Sequence, residues 1–304
     1  METNSTMQRK YIVITGVSTG IGYELADKLS REGYYIIGTV RQALQGETLR
    51  KNLTDNFDYV LLDLEDESSL DSFADRIVEK LEGNGIFCLI NNAGAAMGGP
   101  MMLLSYEQLH RQMAINFYSI FRVSNALLPW LGAGFQSDYP PGLIINISSV
   151  SGIFNTPFLG PYCISKHAVE SMSDIYRREL AIFGIKLVVI QPGPLKTPIW
   201  GKSVPKENPY INTDFETVYH ELSSQIERAE KSALPVERIS KLVMSILQKK
   251  NPRNRYLLTR NNTLIKMIHL LFPEKWMDRL FIKKFKKAAE FSFRKMNERF
   301  RQNG

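Results

Sequence analysis

The chain has 304 residues and a formal net charge of +7, and with 44% hydrophobic and 23% charged residues it has the composition of a globular protein. Its two cysteines exclude a disulfide framework, and its four histidines have no metal-ligand spacing, so no metal is expected. The chain has neither an apolar run of about 18 residues nor an apolar N-terminal segment, which argues against a spanning helix and a signal peptide.

Short apolar segments rich in Ile, Val, Leu and Tyr alternate with stretches of helix length along the chain. The predicted strands are 11–15, 34–39, 58–62, 86–91, 143–148, 186–191 and 255–259. This alternation predicts a doubly wound, Rossmann-like parallel α/β sheet covered by helices on both faces. Ligands of such sheets bind beyond the carboxyl ends of the strands, where the motifs described below fall.

A glycine-rich turn follows the first predicted strand. It reads Thr15-Gly16-Val17-Ser18-Thr19-Gly20-Ile21-Gly22 and leads into an amphipathic segment. Glycines at these positions let the backbone turn tightly and approach a pyrophosphate at the N-terminus of a helix. The G-x-x-x-G-x-G spacing differs from the common G-x-G-x-x-G pattern, and alone it also fits an ordinary strand-to-helix connection.

The end of the second predicted strand bears on the choice of dinucleotide. Folds of this kind often place an acidic residue there to accept the ribose 2′-hydroxyl, whereas this chain has Val40 followed by Arg41. A guanidinium matches a 2′-phosphate through bidentate hydrogen bonds. NADP(H) is therefore favoured over NAD(H), the alternative being that Arg41 is a solvated residue of a surface turn.

A proton-transfer site is predicted from three residues in the middle of the chain. Lys166 follows Tyr162 by four positions, so both lie on one helical face, and the ammonium is expected to lower the pKa of the phenol. Ser149 ends an apolar strand and can hydrogen-bond a carbonyl or alcohol oxygen while Tyr162 exchanges a proton with it.

Together these motifs resemble the short-chain dehydrogenase/reductase family over roughly residues 10 to 260. The motifs occur in the family's order as Thr15-Gly16-x-x-x-Gly20-Ile21-Gly22, Asn91-Asn92-Ala93-Gly94, Asn116, Ser149, Tyr162-x-x-x-Lys166, and Pro192-Gly193 followed by Thr197. The resemblance implies an NAD(P)-dependent oxidoreductase acting on a CH–OH group. It also implies the catalytic set Asn116, Ser149, Tyr162 and Lys166, with Asn116 steadying a water that relays protons to Tyr162 through Lys166.

The resemblance likewise implies which residues hold the cofactor. They are Gly16, Ser18, Thr19, Gly20, Ile21, Arg41, Asp63, Asn92, Ala93, Gly94, Tyr162, Lys166, Pro192, Gly193, Leu195 and Thr197. Asp63 would contact the adenine amine, while Asn91 and Gly94 would line the adenosine side. The backbone near Leu195 and the Thr197 hydroxyl would meet the carboxamide.

The substrate is predicted from the segment at about 195–235, which folds over the substrate in the family. It is rich in aromatic and apolar residues, which suits a lipophilic secondary alcohol and its ketone, or an alcohol and its aldehyde. This aromatic and apolar composition is similar to that of family members acting on steroids or retinoids. The alternative is that these side chains only pack the segment onto the core.

The C-terminal end differs in charge from the rest of the chain. Residues 252–304 contain 14 Lys+Arg and 4 Asp+Glu, so this end supplies all of the net positive charge. We predict a dinucleotide-binding catalytic domain at 8–260 and a basic amphipathic extension at 261–304. Residues 262–299 have the apolar and lysine-rich faces of a helix lying on a membrane surface, the alternative being that the apolar face packs on the protein.

The remaining expectations concern partners and location. The family resemblance implies a homodimer or homotetramer formed through helices at about 104–130 and 161–183. Nucleic-acid binding is not predicted, and a cytoplasmic location, with membrane contact on that face, fits the cysteine usage. The second hypothesis is a nucleotide-binding scaffold or membrane-surface module of the same fold with little turnover.

Overall fold

The computed structural model describes residues 9–198, 227–271 and 275–283, together with residues 210, 211, 213, 215, 216, 273, 285 and 286. Its central sheet has seven strands, and every neighbouring pair is parallel. The strands are β1 (Tyr11–Ile14), β2 (Tyr35–Val40), β3 (Phe57–Leu61), β4 (Ile86–Asn91), β5 (Leu143–Ile147), β6 (Lys186–Pro192) and β7 (Arg255–Leu258). The predicted doubly wound sheet is confirmed, because the strand order is β3-β2-β1-β4-β5-β6-β7.

Helices connect the strands and cover both faces of the sheet. They are α1 (Gly20–Arg31), α2 (Ala43–Asn52), α3 (Glu67–Asp71), α4 (Phe73–Leu81), α5 (Tyr106–Met113), α6 (Ser119–Leu127), α7 (Gly160–Glu179), α8 (Glu237–Leu247) and α9 (Asn262–Leu271). Residues 275–283, 285 and 286 are also helical. Among the described residues, no helix is long and apolar enough to cross a membrane.

The central strands β1, β4, β5 and β6 are buried on both faces, which explains why they are largely apolar runs in the sequence. The edge strands β3 and β7 are only partly buried. Neighbouring residues of one strand enter different cores: Val13 packs with residues of α4, α6 and α7, whereas Ile14 packs with residues of α1 and α8. This alternation follows from the two-residue period of a strand. The two cores pack against opposite faces of the sheet, and the loops at its carboxyl edge start from these packed strands.

Most of the predicted substrate segment at about 195–235 lies outside the described residues. Its two ends do meet, because Leu195 forms a parallel bridge with Leu234, and the Leu234 amide donates to the Pro194 carbonyl across 2.9 Å. The last part of the predicted C-terminal extension, residues 287–304, also lies outside the described part.

Candidate active site

The predicted site residues converge at the carboxyl edge of the sheet. β1, β4, β5 and β6 are consecutive neighbours, and the motif of each follows the end of its strand. The register pairs Asn91 of β4 with Asn146 of β5, three residues before Ser149. The fold therefore brings the glycine turn, the Asn91–Gly94 segment and Ser149 to one edge, with Tyr162 and Lys166 on the helix that follows.

Tyr162 and Ser149 meet at the start of α7. Tyr162 lies in the first turn of that helix and is buried, and its hydroxyl hydrogen-bonds the Ser149 side chain. The Ser149 hydroxyl also accepts a hydrogen bond from the Ser151 amide across 3.1 Å. The serine is therefore held by its own loop with its hydroxyl toward the phenol.

Lys166 lies one turn further along α7 and is also buried. Its Nζ is 5.8 Å from the centroid of the Tyr162 ring and donates a hydrogen bond to the Ile147 carbonyl across 2.9 Å. Burial disfavours the ammonium and lowers the pKa of Lys166 to about 8, although the negative charge of Glu170 opposes that shift. Around neutral pH the side chain is still mostly cationic, but it titrates within reach of ordinary assay conditions.

The expected lowering of the Tyr162 pKa is wrong for this structure, because the net shift is upward. The pKa of Tyr162 is raised to about 12, chiefly because burial disfavours the phenolate, and the Ser149 hydrogen bond only partly opposes this shift. The Lys166 ammonium is directed to a main-chain carbonyl instead of the phenol oxygen. Tyr162 therefore keeps its proton at neutral pH and is suited to donate it.

Asn116 lies in a single π-helical turn (Ala114–Tyr118) between α5 and α6 and is fully buried. Such turns frequently mark functional sites. Its amide oxygen accepts from the Ala95 amide across 2.9 Å, while its Nδ2 donates to the Ala95 carbonyl and to the Ser165 hydroxyl. These bonds use both N–H groups of the side-chain amide and one of the two lone pairs of its oxygen, so the oxygen can still accept a hydrogen bond from the expected relay water.

The glycine turn forms a cradle that has no room for side chains. Gly16 and Gly20 have positive φ angles of 70° and 63°, and a Cβ on Gly16 would lie 2.9 Å from the Ala93 Cβ. A Cβ on Gly22 would overlap the Gly16 carbonyl oxygen. Thr19 precedes α1 without capping it, so the first amide groups of the helix have no side-chain acceptor. An open helix N-terminus beside a bare backbone fits a pyrophosphate.

The segment after β4 is fixed against this cradle. The Thr15 hydroxyl accepts from the amides of Asn92 and Ala93 across 2.9 and 3.0 Å, and Asn92 Nδ2 donates to the carbonyls of Thr15 and Gly16. Asn91, in contrast, points into the core and donates to Ser124 and Asn146. The expectation that Asn91 lines the adenosine side is therefore wrong, since the buried side chain is tied to neighbouring elements. Gly94 is exposed at this edge.

Arg41 and Asp63 follow the ends of β2 and β3 and are both exposed. Among the described residues, the Arg41 guanidinium makes no hydrogen bond or ion pair, although its charge acts on Glu65. Asp63 accepts a hydrogen bond from the Glu65 amide across 3.0 Å. The guanidinium remains open to a phosphate on this side of the cradle.

The last predicted cofactor residues extend from β6. The Gly193 amide donates to the Leu258 carbonyl across 3.0 Å, and a Cβ on Gly193 would lie 3.1 Å from the Thr259 side chain. Leu195 is buried at its bridge with Leu234, whereas Thr197 lies beside Gly20. Pro192 ends the strand. These residues thus reach the open end of the cradle.

Three residues that help to shape the site were given no role by the sequence reasoning. Thr15 holds the Asn92–Ala93 backbone, and Thr39 accepts from the Gly16 amide across 2.9 Å. Gln112, one turn before Asn116 on the same helix, binds the backbone of Ala95 and Met97. That i, i+4 spacing of two amide side chains is the pattern that could have identified Gln112.

Phe158 lies two residues before α7 and is the centre of an aromatic cluster. Its φ is +66°, a left-handed conformation that is uncommon for a bulky residue, and its carbonyl accepts from the Gly99 amide across 2.7 Å. Its ring meets Phe215 at 5.9 Å and Phe285 at 4.9 Å between centroids, both edge-on. Phe285 stacks on Phe281. The substrate segment and the C-terminal helical segment therefore both meet the loop that leads to Tyr162.

Among the described residues, no three His, Cys, Asp or Glu side chains are grouped so as to hold a metal ion. Both cysteines are buried free thiols, and burial raises the pKa of each. His167 contacts the Cys163 carbonyl through Nδ1 across 2.9 Å, one turn back on its own helix.

Comparison with known proteins finds one matching family profile and several related sequences. The sequence profile described as "short chain dehydrogenase" matches residues 10–208. The chain is 35% identical over 283 residues to the NADPH-dependent 3-dehydrocapnine reductase of Ornithobacterium rhinotracheale, which covers 93% of this chain and 100% of that protein. It is 30% identical over 246 residues to the 3-ketodihydrosphingosine reductase of Bacteroides thetaiotaomicron, and the alignment covers 81% of this chain and 86% of that protein.

Among solved structures, a short-chain dehydrogenase from Streptomyces avermitilis has a similar fold. The two superpose with a TM-score of 0.73 at 23% identity, covering 93% of this chain and 97% of the other. At this identity the likeness concerns the fold alone.

Proposed function

This chain belongs to the short-chain dehydrogenase/reductase family, and we propose that it interconverts a lipophilic secondary alcohol and its ketone with NADP(H), working as a reductase. The observation that carries this proposal is the contact of Tyr162 with Ser149, with the Lys166 Nζ 5.8 Å from the tyrosine ring. A structural role alone gives no reason to bury a phenol and an ammonium side by side.

The protonated Tyr162 is suited to act as the acid in a reduction. Because burial raises its pKa to about 12, the phenol carries a proton that it can donate to the oxygen of a ketone. Ser149 would hydrogen-bond the same oxygen and orient it. The Lys166 cation, held by the Ile147 carbonyl, would stabilise the phenolate that remains after the transfer.

NADP(H), when bound, supplies the hydride for reduction. The cradle of Gly16, Gly20 and Gly22 with the open N-terminus of α1 would hold its pyrophosphate. Arg41, which has no described partner, would take the 2′-phosphate, and this preference agrees with the name of the NADPH-dependent relative. The remainder of the cofactor would be lined by Asp63, Asn92, Ala93, Gly94 and the Pro192–Thr197 segment.

The aromatic cluster around Phe158 supports a lipophilic substrate. Four aromatic side chains, Phe158, Phe215, Phe281 and Phe285, lie beside the loop that enters the Tyr162 helix, and each is half-buried. Such a lining suits an apolar tail. The name of one relative, 3-ketodihydrosphingosine reductase, also describes the reduction of a ketone.

We also propose that the protein is a homodimer or homotetramer in the cytoplasm. Large apolar side chains remain exposed on the helices expected at the interface: Tyr118, Phe121, Ile164 and Ile175. The buried free thiols fit a reducing compartment. Light scattering coupled to gel filtration would measure the oligomer, and a monomer at micromolar concentration would contradict this part.

The direct test measures NADPH oxidation with ketones of increasing lipophilicity. The probes are 3-ketodihydrosphingosine and a steroid ketone, with retinal added as a lipophilic aldehyde and cyclohexanone as a small control ketone. We expect at least one lipophilic probe to be reduced with NADPH, and the same probe to be reduced at least about tenfold more slowly with NADH. If the protein binds NADPH but reduces none of them, the proposal fails and the binding-module hypothesis is favoured instead.

A further inference from the structure

Two helical segments near the C-terminus leave apolar stripes in contact with solvent. On α9, Leu264, Met267 and Leu271 are 50%, 51% and 67% exposed. Their spacing of three and four residues places them on one face of the helix. On the helical segment 275–283, Trp276 and Leu280 are 59% and 57% exposed and lie one turn apart. Each helix therefore presents an apolar face that the described part of the chain leaves exposed.

The second helical segment also has an inward face, which is already occupied. Met277, Phe281 and Phe285 are half-buried at four-residue spacing, and the Phe285 ring is 4.9 Å from that of Phe158. The outward stripe of Trp276 and Leu280 is therefore not needed to attach the helix to the protein. An exposed stripe that has no packing role indicates a partner surface.

The charges beside this stripe indicate what the partner is. Arg279 and Lys283 share the face of Trp276 and Leu280, at three- and four-residue spacing, while Lys275 and Lys286 are exposed on the same segment. Residues 252–304 contain 14 basic and 4 acidic residues. At a membrane surface, indole and aliphatic side chains insert at the boundary between acyl chains and headgroups, and neighbouring cations are attracted to anionic headgroups.

We propose that the α9 stripe and the Trp276–Leu280 stripe together form a docking surface for an anionic lipid bilayer, on its cytoplasmic face. The inward face of the same helical segment contacts the loop before Tyr162, so a docked protein would hold the site entrance close to the membrane. The docking itself is independent of the reaction proposed above. Only its consequence, the uptake of a membrane-dissolved ketone, rests on that proposed function.

The test is co-sedimentation of the full chain with vesicles of phosphatidylcholine containing about 30% phosphatidylserine, compared with phosphatidylcholine alone. The test variant is Trp276→Ser with Leu280→Ser. The matched control is Leu44→Ser with Phe135→Ser, since both of these residues are more exposed than Trp276 but lie far from the C-terminal segment in sequence.

We expect the wild type and the control to sediment with the anionic vesicles, and the test variant to bind at least about tenfold more weakly. Added salt at about 0.5 M should weaken binding, because the cations contribute. Reduction of a water-soluble ketone should be equal in all three proteins, which separates docking from catalysis. The proposal is overturned if the wild type does not sediment or if the test variant binds vesicles like the wild type. It is also overturned if the two substitutions instead dissociate a dimer, because a second copy of the chain would then be what covers this surface.

Discussion

The Nζ of Lys166 donates a hydrogen bond to the carbonyl oxygen of Ile147 across 2.9 Å, and this bond joins α7 to the carboxyl end of β5. Ile147 precedes Ser149 by two residues, and Lys166 follows Tyr162 by four. One side chain therefore sets the distance between the strand that leads to the serine and the helix that carries the tyrosine. The lysine has a positioning role before any cofactor binds.

Tyr162→Phe is expected to lower kcat for ketone reduction by at least about 100-fold, because the variant lacks the proton that the phenol donates. NADPH should still bind with an affinity within about twofold of the wild type, since the ring and the cradle remain. Stopped-flow turnover and a fluorescence titration of NADPH would measure the two quantities.

The matched control for this variant is Tyr176→Phe on the same helix. Tyr176 is buried and its hydroxyl donates to Asn125 across 2.7 Å, so its loss removes a structural hydrogen bond only. Stability should fall by about 1 kcal/mol while kcat is kept. Similar turnover losses in both variants would show that a structural defect, and not proton transfer, explains the effect of Tyr162→Phe.

Lys166→Met is expected to change how stability depends on pH. Burial lowers the folded-state pKa of Lys166 to about 8, so between pH 8 and 10 the unfolded chain binds more protons than the folded one. Stability contributed by this group therefore rises with pH across that window. The difference in unfolding free energy, wild type minus variant, should increase by up to about 2 kcal/mol from pH 8 to 10 in urea titrations. A constant difference would show that the lysine is not destabilised by burial.

Arg41→Ala is expected to raise the KM for NADPH and to leave that for NADH nearly unchanged. The lost charge-assisted contact should amount to about 1.5–3 kcal/mol, or roughly a 10- to 150-fold change in kcat/KM. Gln42→Ala, the exposed neighbour, is the control and should have little effect on either cofactor. Equal losses with the two cofactors would mean that Arg41 does not recognise the 2′-phosphate.

Gly22→Ala is expected to destabilise the protein by about 2–4 kcal/mol, because the new methyl group would overlap the Gly16 carbonyl oxygen and the backbone would have to shift. NADPH affinity should fall as well, since the cradle is formed by the same turn. Lys28→Ala on the same helix, which removes an exposed ion pair with Glu32, should cost less than about 1 kcal/mol. Thermal unfolding with and without NADPH would record both effects, and an unchanged Gly22→Ala protein would contradict the close approach.

The sequence by itself determined the sheet and the edge at which most of the candidate site residues lie. All seven strands could be predicted from short segments rich in apolar residues, which is a local property, and the central strands were the clearest because both of their faces are buried. The spacing of Tyr162 and Lys166 on one helix is equally local. The motifs follow the ends of the strands, and the parallel topology then requires that they meet at one edge.

The tertiary structure alone decided what depends on burial and on contacts between distant segments. Desolvation sets the pKa of Tyr162 and overrides the expected influence of Lys166, and no spacing in the sequence reports the degree of burial. Asn91 and Asn92 are adjacent in sequence, yet only the pleat of β4 sends Asn91 into the core and leaves Asn92 beside the cradle. The contact of Phe158 with Phe285 joins residues far apart in the chain, so it exists only because folding closes the C-terminal segment over the loop before α7.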